Sequence, residues 1–228
     1  MQLALPIKLD DSATFDNFYV PEDSSAGAAL SSLIDDGHRG LYIWGGQGAG
    51  ITHLLQACCR RAEKQKRSAM YVPLGEFSNM PPESVLADLE RLELLCLDDV
   101  DAVSENPVWS DQLFHLYNRI SDSACKLVVG AKVSAMQLDT PLADLHSRLS
   151  SMLTHQITKL DDHNIVAALI YRAERRGLKM PQKVADYLIR HYSRQLVDQF
   201  GILDRLDEAS LAESKKLTVP FVKSVLNS

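Results

Sequence analysis

Leu41-Tyr-Ile-Trp-Gly-Gly-Gln-Gly-Ala-Gly-Ile-Thr52 decides how the rest of the chain is read. Leu41 to Trp44 is an apolar run of strand length. Glycines follow at Gly45, Gly46, Gly48 and Gly50. Thr52 then opens a helical pattern in which Leu54, Leu55 and Cys58 share a face. Strand, glycine loop and helix in that order give the context of a phosphate-binding loop. Glycines permit backbone torsions that side chains forbid, so successive N–H groups can turn inward toward an anion. The helix start adds unpaired N–H groups and the positive end of its dipole.

The phosphate-loop pattern is G-x-x-x-x-G-K-[ST]. Here it reads Gly45, Gly46, Gln47, Gly48, Ala49, Gly50, Ile51, Thr52. Both end glycines match, as does the threonine whose hydroxyl would face a magnesium ion. The lysine that reaches the β- and γ-phosphates is replaced by Ile51, which offers neither charge nor hydrogen bond. The amide cradle is kept and the point charge is lost. The alternative is a tight strand-to-helix turn that binds no ligand.

Leu94-Leu-Cys-Leu-Asp-Asp99 is the second informative stretch. Four apolar residues ending in two carboxylates predict a central strand with Asp98 and Asp99 at its C-terminal end. Ligands of open parallel sheets sit just outside such ends. Asp98 would hold magnesium, directly or through water, and Asp99 would orient or deprotonate a water. The competing reading is a pair of solvated aspartates that cap the next turn.

The remaining chain alternates strand and helix patterns. Helices are expected over Ser24–Ile34, from Thr52 to about Lys66, over Pro82–Leu92, Pro107–Ser121 and Leu142–Leu149. Strands are expected over Ala69–Leu74, Lys126–Gly130 and His155–Leu160. Such alternation argues for a parallel sheet covered by helices on both faces. From Asp161 onward only helical patterns appear. Asp161 and Asp162 are expected to cap the first, and Gly177 to close it. Three further stripes follow, one of which must tolerate Gly201. The organisation read from this is an N-terminal peptide over residues 1–10, an α/β domain over 11–160 and a small helical domain over 161–228.

Composition narrows the function classes. With 46% hydrophobic and 24% charged residues, the chain fits a soluble globular protein. A net charge of −6 gives no whole-protein case for nucleic-acid binding. The Arg60, Arg61, Lys64, Lys66, Arg67 run reads as a solvated helix end. Cys58, Cys59, Cys96 and Cys125 show no C-x-x-C spacing and suit reduced thiols in a cytoplasmic protein. The histidines show no metal-ligand spacing. No apolar run reaches membrane-spanning length, and no signal peptide is evident. Near the start, Gln2, Leu3, Leu5 and Pro6 read either as an unstructured end or as a short docking peptide with apolar anchors and one amide.

Together, Phe15-Asp-Asn-Phe18, the glycine loop, Leu97-Asp-Asp99, Ser147-Arg148 and the four-helix end resemble AAA+ ATPases of the bacterial DnaA clade. Leu217-Thr-Val-Pro-Phe-Val-Lys223 is also similar to that clade. The resemblance covers essentially the whole chain and stops at the lid, so the DnaA DNA-binding helices are not expected. It implies an AAA+ sheet followed by an all-α lid domain. It further implies a cytoplasmic regulator of replication initiation that stimulates ATP hydrolysis on the DnaA initiator. Arg148 matches the arginine finger, acting in trans. Gln2-Leu-Ala-Leu-Pro6 is similar to a sliding-clamp-binding peptide. The nucleotide site would comprise Gly45 to Thr52, together with His53, Phe18 and Arg194. Its ligand would be a nucleoside diphosphate such as ADP, with magnesium at Thr52 and Asp98 if a metal binds.

Three departures weigh against efficient self-catalysed hydrolysis. The loop lysine is Ile51. The sensor region reads Gly130-Ala131-Lys132, which leaves the first sensor unassigned. The lid arginine of the clade falls on Val197 or Asp198, with Arg194 one turn away. The expected role of the nucleotide is therefore structural, fixing the angle between domain and lid. The expected partners are the initiator and the clamp, with a second copy of the chain left open, and neither specific DNA nor a membrane. Two alternatives from other classes stand beside this. One is a self-sufficient ATPase or DNA loader, with Lys132 or a lid cation replacing the lysine. The other is a DNA-binding adaptor using the Arg60–Arg67 run. Arg148 has its own alternative, a surface pair with Asp144 one helical turn earlier.

Overall fold

The computed structural model describes residues 9, 13–19 and 40–226. The expected clamp peptide and the expected helix at Ser24–Ile34 lie outside these residues. The chain divides into two compact units, one ending at Lys159 and the other starting at Leu160.

The first unit is built on a five-stranded sheet in the order β2-β3-β4-β1-β5. Its strands are β1 (Gly40–Trp44), β2 (Ala69–Pro73), β3 (Leu94–Asp98), β4 (Lys126–Ala131) and β5 (Leu153–Gln156). All four pairings are parallel. The inner strands are near-continuous apolar runs because both faces are covered. Successive side chains alternate between two cores. Leu41, Ile43, Cys96 and Val128 pack on one side with α1 (Ile51–Lys64). Tyr42, Leu95, Leu97 and Val129 pack on the other with α2 (Pro107–Ser121) and α3 (Ala143–Ser150). β1 and β4 are neighbours, yet the helix after β1 covers one face and the helix after β4 the other. A crevice therefore opens at the carboxyl ends of these two strands, where ligands bind in such sheets.

Local chemistry sets the helix ends. The Asn106 side chain accepts from the N–H groups of Val108 at 2.9 Å and Trp109 at 3.4 Å, and Pro107 needs no donor at the first helical position. Trp109, Leu113, Leu116 and Ile120 then fall on the buried stripe of α2.

Two expectations in this unit are corrected. The fifth strand runs over Leu153–Gln156 and not His155–Leu160. It is an edge strand with mostly exposed side chains, so it carries no burial alternation to read. Its apolar signal, Ile157, lies one residue past the strand, where its N–H donates to the Trp44 carbonyl at 2.7 Å. The expected helix at Pro82–Leu92 is one turn, Pro82–Val85, followed by a 3₁₀ turn at Leu89–Arg91. Asp88 between them has φ 59°, a left-handed conformation that ends the helical path.

The second unit consists of α4 (Asp162–Arg175), α5 (Gln182–His191), α6 (Leu196–Glu213) and α7 (Val219–Leu226). Leu169, Leu188, Leu203 and Val222 meet in its core. Asp161 alone caps α4, accepting from Asn164 N–H at 2.8 Å, while Asp162 is already helical. Thr218 accepts from Phe221 N–H at 3.3 Å at the start of α7.

Glycine spacing gives two opposite predictions. Gly130 lies in β4, where a Cβ would sit 2.7 Å from Leu55 Cδ1, 2.8 Å from Ile51 Cγ2 and 2.9 Å from Asp98 Oδ1. Gly130→Ala should destabilise the first unit by about 1–3 kcal/mol through overpacking. Gly201, inside α6, has no such neighbour within 4 Å. Gly201→Ala should stabilise the second unit by about 0.5–1 kcal/mol. Urea and thermal unfolding curves of the two variants check both signs.

Candidate functional site

The loop Gly45–Gly50 joins β1 to α1 at the crevice. Gly45 donates its N–H to the Ala131 carbonyl at 3.1 Å. A Cβ at Gly45 would run into the Ile157 carbonyl oxygen, so the first glycine is required by backbone packing. Gly50 is the N-cap of α1 with φ 94°, in the left-handed region that costs other residues free energy. The helical ladder starts only at Leu54, whose N–H donates to Gly50 at 3.0 Å. Among the described residues, the N–H groups of Gly46, Gln47, Gly48, Gly50, Ile51 and Thr52 have no hydrogen-bond partner. Gly46, Gln47 and Gly48 are exposed, so these donors face solvent at a helix N-terminus. Such an array fits the oxygens of a diphosphate.

Ile51 points the other way. It is 9% exposed and belongs to the apolar core with Leu54 and Leu55. Where the phosphate-loop pattern carries a cation, this chain therefore carries a core side chain.

Residues before the sheet close one side of the loop. Thr14 caps the 3₁₀ turn Phe15–Asn17, accepting from Asn17 N–H at 3.2 Å. His53 Nε2 lies 2.9 Å from the Thr14 carbonyl. The Phe18 ring stands 5.6 Å from the His53 ring, centroid to centroid. It also lies against Gly50, where a Cβ would be 2.8 Å from Phe18 Cε2. Phe18 and His53 therefore lie beside the loop.

Asp98 ends β3 and is 3% exposed. Its Oδ2 accepts from the Thr52 hydroxyl at 2.7 Å and the Tyr71 hydroxyl at 2.9 Å. Its Oδ1 accepts from Asp99 N–H at 3.0 Å. Burial lifts the Asp98 carboxyl above the usual carboxylate range, against the lowering effect of these hydrogen bonds. Burial likewise pushes the Tyr71 phenol up, and the Asp98 charge adds to it. Asp99 has φ 52°, which turns its carboxylate to Lys132, with Oδ1 2.9 Å from Nζ. Lys132 is held again at its backbone, where N–H donates to Asp101 Oδ1 at 3.0 Å. The hydrogen bond to Asp99 raises the Lys132 pKa, so the ammonium stays charged.

Tyr71 and Asp101 belong to no motif in the sequence. The available signal for Tyr71 was a phenol within an apolar strand, since a buried tyrosine hydroxyl needs a partner. In the sequence Lys132 reads as part of the sensor region and as a stand-in for the missing loop lysine.

Arg148 lies in the last turn of α3 and is exposed. α3 packs on the sheet face opposite α1 and its loop. The guanidinium lies 5.9 Å from the Tyr117 ring centroid. It makes no ion pair with Asp144 or any other carboxylate among the described residues. Arg194 lies in the second unit between α5 and α6, with its Nη1 3.6 Å from Asp162 Oδ2. In the basic run, Arg60 donates to the Leu9 carbonyl at 3.2 Å and Arg61 lies over the Phe15 ring.

Comparison with known proteins supports this architecture. The family model "Bacterial DnaA ATPase domain" matches residues 9–157, and "Hda, lid domain" matches residues 161–226. Domain III of the Thermotoga maritima replication initiation protein DnaA superposes with a TM-score of 0.78 at 21% identity, covering 97% of this chain and 98% of that one. AMPPCP-bound DnaA from Aquifex aeolicus gives 0.74 at 21% identity, covering 91% and 69%. The Thermotoga maritima RuvB Holliday junction branch migration motor gives 0.64 at 13% identity, covering 94% and 73%. The sheet order, the glycine loop and the helical second unit are accounted for together: the chain belongs to the DnaA-related AAA+ ATPase family, with a lid of the Hda type.

Proposed function

We propose that this chain is a regulator of bacterial replication initiation that holds a nucleoside diphosphate and stimulates ATP hydrolysis on the DnaA initiator. The observation that carries this reading is Arg148. It is exposed, free of any carboxylate partner among the described residues, and on the opposite sheet face from its own phosphate loop. A guanidinium so placed is available to a neighbouring molecule's nucleotide. Its planar, permanently charged fork suits the charge that develops on a transferring phosphoryl group. The Tyr117 ring beneath it limits where the side chain can swing.

The chain's own loop is suited to binding more than to turnover. Diphosphate binding draws on the open amide array and needs no lysine. Hydrolysis would need a cation at the γ-phosphate and a free carboxylate to position water. Ile51 removes the first, and the Lys132 ion pair engages Asp99. A self-sufficient ATPase would recruit Lys132 as the stand-in cation, but that ammonium is already 2.9 Å from Asp99. A DNA-binding adaptor would need Arg60 and Arg61 free, and both have intramolecular contacts.

In this reading Gln2, Leu3, Leu5 and Pro6 dock on the sliding clamp, bringing Arg148 to initiators near loaded clamps. Leu3 and Leu5 serve as apolar anchors, Gln2 offers an amide, and Pro6 stiffens the peptide.

Two outcomes are expected. Hydrolysis of initiator-bound ATP, measured with DNA-loaded clamp, should fall by about 10³–10⁵ relative to wild type for Arg148→Ala, up to the full stimulation observed. Arg148→Lys should fail equally, since an ammonium lacks the planar fork. Both variants should still bind clamp and diphosphate, and full stimulation by Arg148→Ala would contradict the proposal. Replacing Gln2, Leu3 and Leu5 by alanine should abolish clamp pull-down while thermal unfolding stays unchanged. Undiminished pull-down would remove the clamp from the account.

A further inference from the structure

Both carboxylates at the end of β3 are engaged by protein groups, Asp98 in the interior and Asp99 at the surface. A carboxylate oxygen has about two lone-pair sites. Both on Asp98 Oδ2 are taken, by the Thr52 hydroxyl at 2.7 Å and the Tyr71 hydroxyl at 2.9 Å. Oδ1 takes Asp99 N–H at 3.0 Å and lies against Gly130, where even a Cβ would come within 2.9 Å. At 3% exposure Asp98 has almost no surface left for a further ligand. The Thr52 hydroxyl gives its proton to this carboxylate, which occupies the carboxylate and leaves the hydroxyl oxygen's own lone pairs free. Asp99, the second acid, already carries the Lys132 ammonium at 2.9 Å.

Magnesium needs near-octahedral oxygen ligation at about 2.0–2.1 Å, drawn from one or two carboxylates plus phosphates and waters. Of the expected ligands, Thr52 keeps its oxygen lone pairs, but the buried Asp98 carboxylate is taken up by protein donors here. Oδ2 would first have to release Tyr71, and a dication would then approach an ammonium already held between Asp99 and Asp101.

We propose that this chain retains its nucleoside diphosphate without magnesium, the Lys132 ammonium at Asp99 taking the charge-compensating place of the dication. The inference rests on the diphosphate reading of the glycine loop. Lys132 follows β4 directly and Asp99 follows β3, so the ion pair joins adjacent strands at the crevice. It offsets one carboxylate charge where an anionic ligand would otherwise meet two.

The test is calorimetric titration of ADP into the full chain, stripped of nucleotide, in magnesium chloride or in EDTA. Wild type should bind with affinities that agree within about twofold between the buffers. Lys132→Gln should lose about tenfold in EDTA, because Asp99 then faces the diphosphate uncompensated, and recover with magnesium. Lys132→Arg should keep the wild-type behaviour, and thermal unfolding checks that both variants are folded. A drop of about tenfold or more for wild type in EDTA would overturn the inference. So would a Lys132→Gln protein that binds ADP as wild type does in EDTA, or that loses affinity equally in both buffers. Absence of ADP binding in either buffer would overturn the reading of the loop and this inference with it. Magnesium-dependent binding would overturn the inference alone.

Discussion

One buried oxygen, Asp98 Oδ2, ties the site to the fold. It accepts from Thr52 on α1 and Tyr71 on β2 while Asp98 itself ends β3. Hydrogen bonds to a charged group are each worth about 1.5–3 kcal/mol net, and more is lost when the group is left unpaired in the interior. The position of the glycine loop relative to the sheet therefore depends on this oxygen remaining shared. Gly130 belongs to the same arrangement, because only a residue without a Cβ leaves room for Asp98, Ile51 and Leu55 together.

This arrangement separates binding from chemistry. The amide array at Gly46–Thr52 comes from backbone geometry, and Ile51 leaves it in place. The groups that would turn binding into hydrolysis are directed elsewhere. Ile51 is a core side chain, Asp98 is satisfied by protein donors, and Asp99 is paired with Lys132. Arg148 is in the opposite condition, exposed and stacked near Tyr117 on the far face of the sheet. In the proposed function, this division leaves the chain holding a nucleotide while it acts on a neighbour's.

What the sequence made legible follows from how local each signal was. The span Pro107–Ser121 was readable to the residue, because its cap, its proline and its apolar stripe all lie within one segment. The inner strands were readable because burial on both faces leaves unbroken apolar runs. β5 was misplaced because an exposed edge strand carries no such run. The Pro82–Leu92 helix was over-extended because a single left-handed residue, Asp88, stops it without any glycine or proline. At the site, the loop and the acidic pair were visible as contiguous motifs. The Tyr71–Asp98 and Lys132–Asp99 contacts were not, since each joins residues from different strands with no fixed spacing. The identity of Ile51 was plain in the sequence, while the direction of its side chain required the packed core.

The central claim is that the loop holds a diphosphate that the chain does not regenerate or turn over. The most direct measurement is acid extraction of freshly purified protein, followed by chromatography of the released nucleotide against protein concentration. The account predicts stoichiometric nucleoside diphosphate. Bound triphosphate, or only traces of any nucleotide, would contradict it.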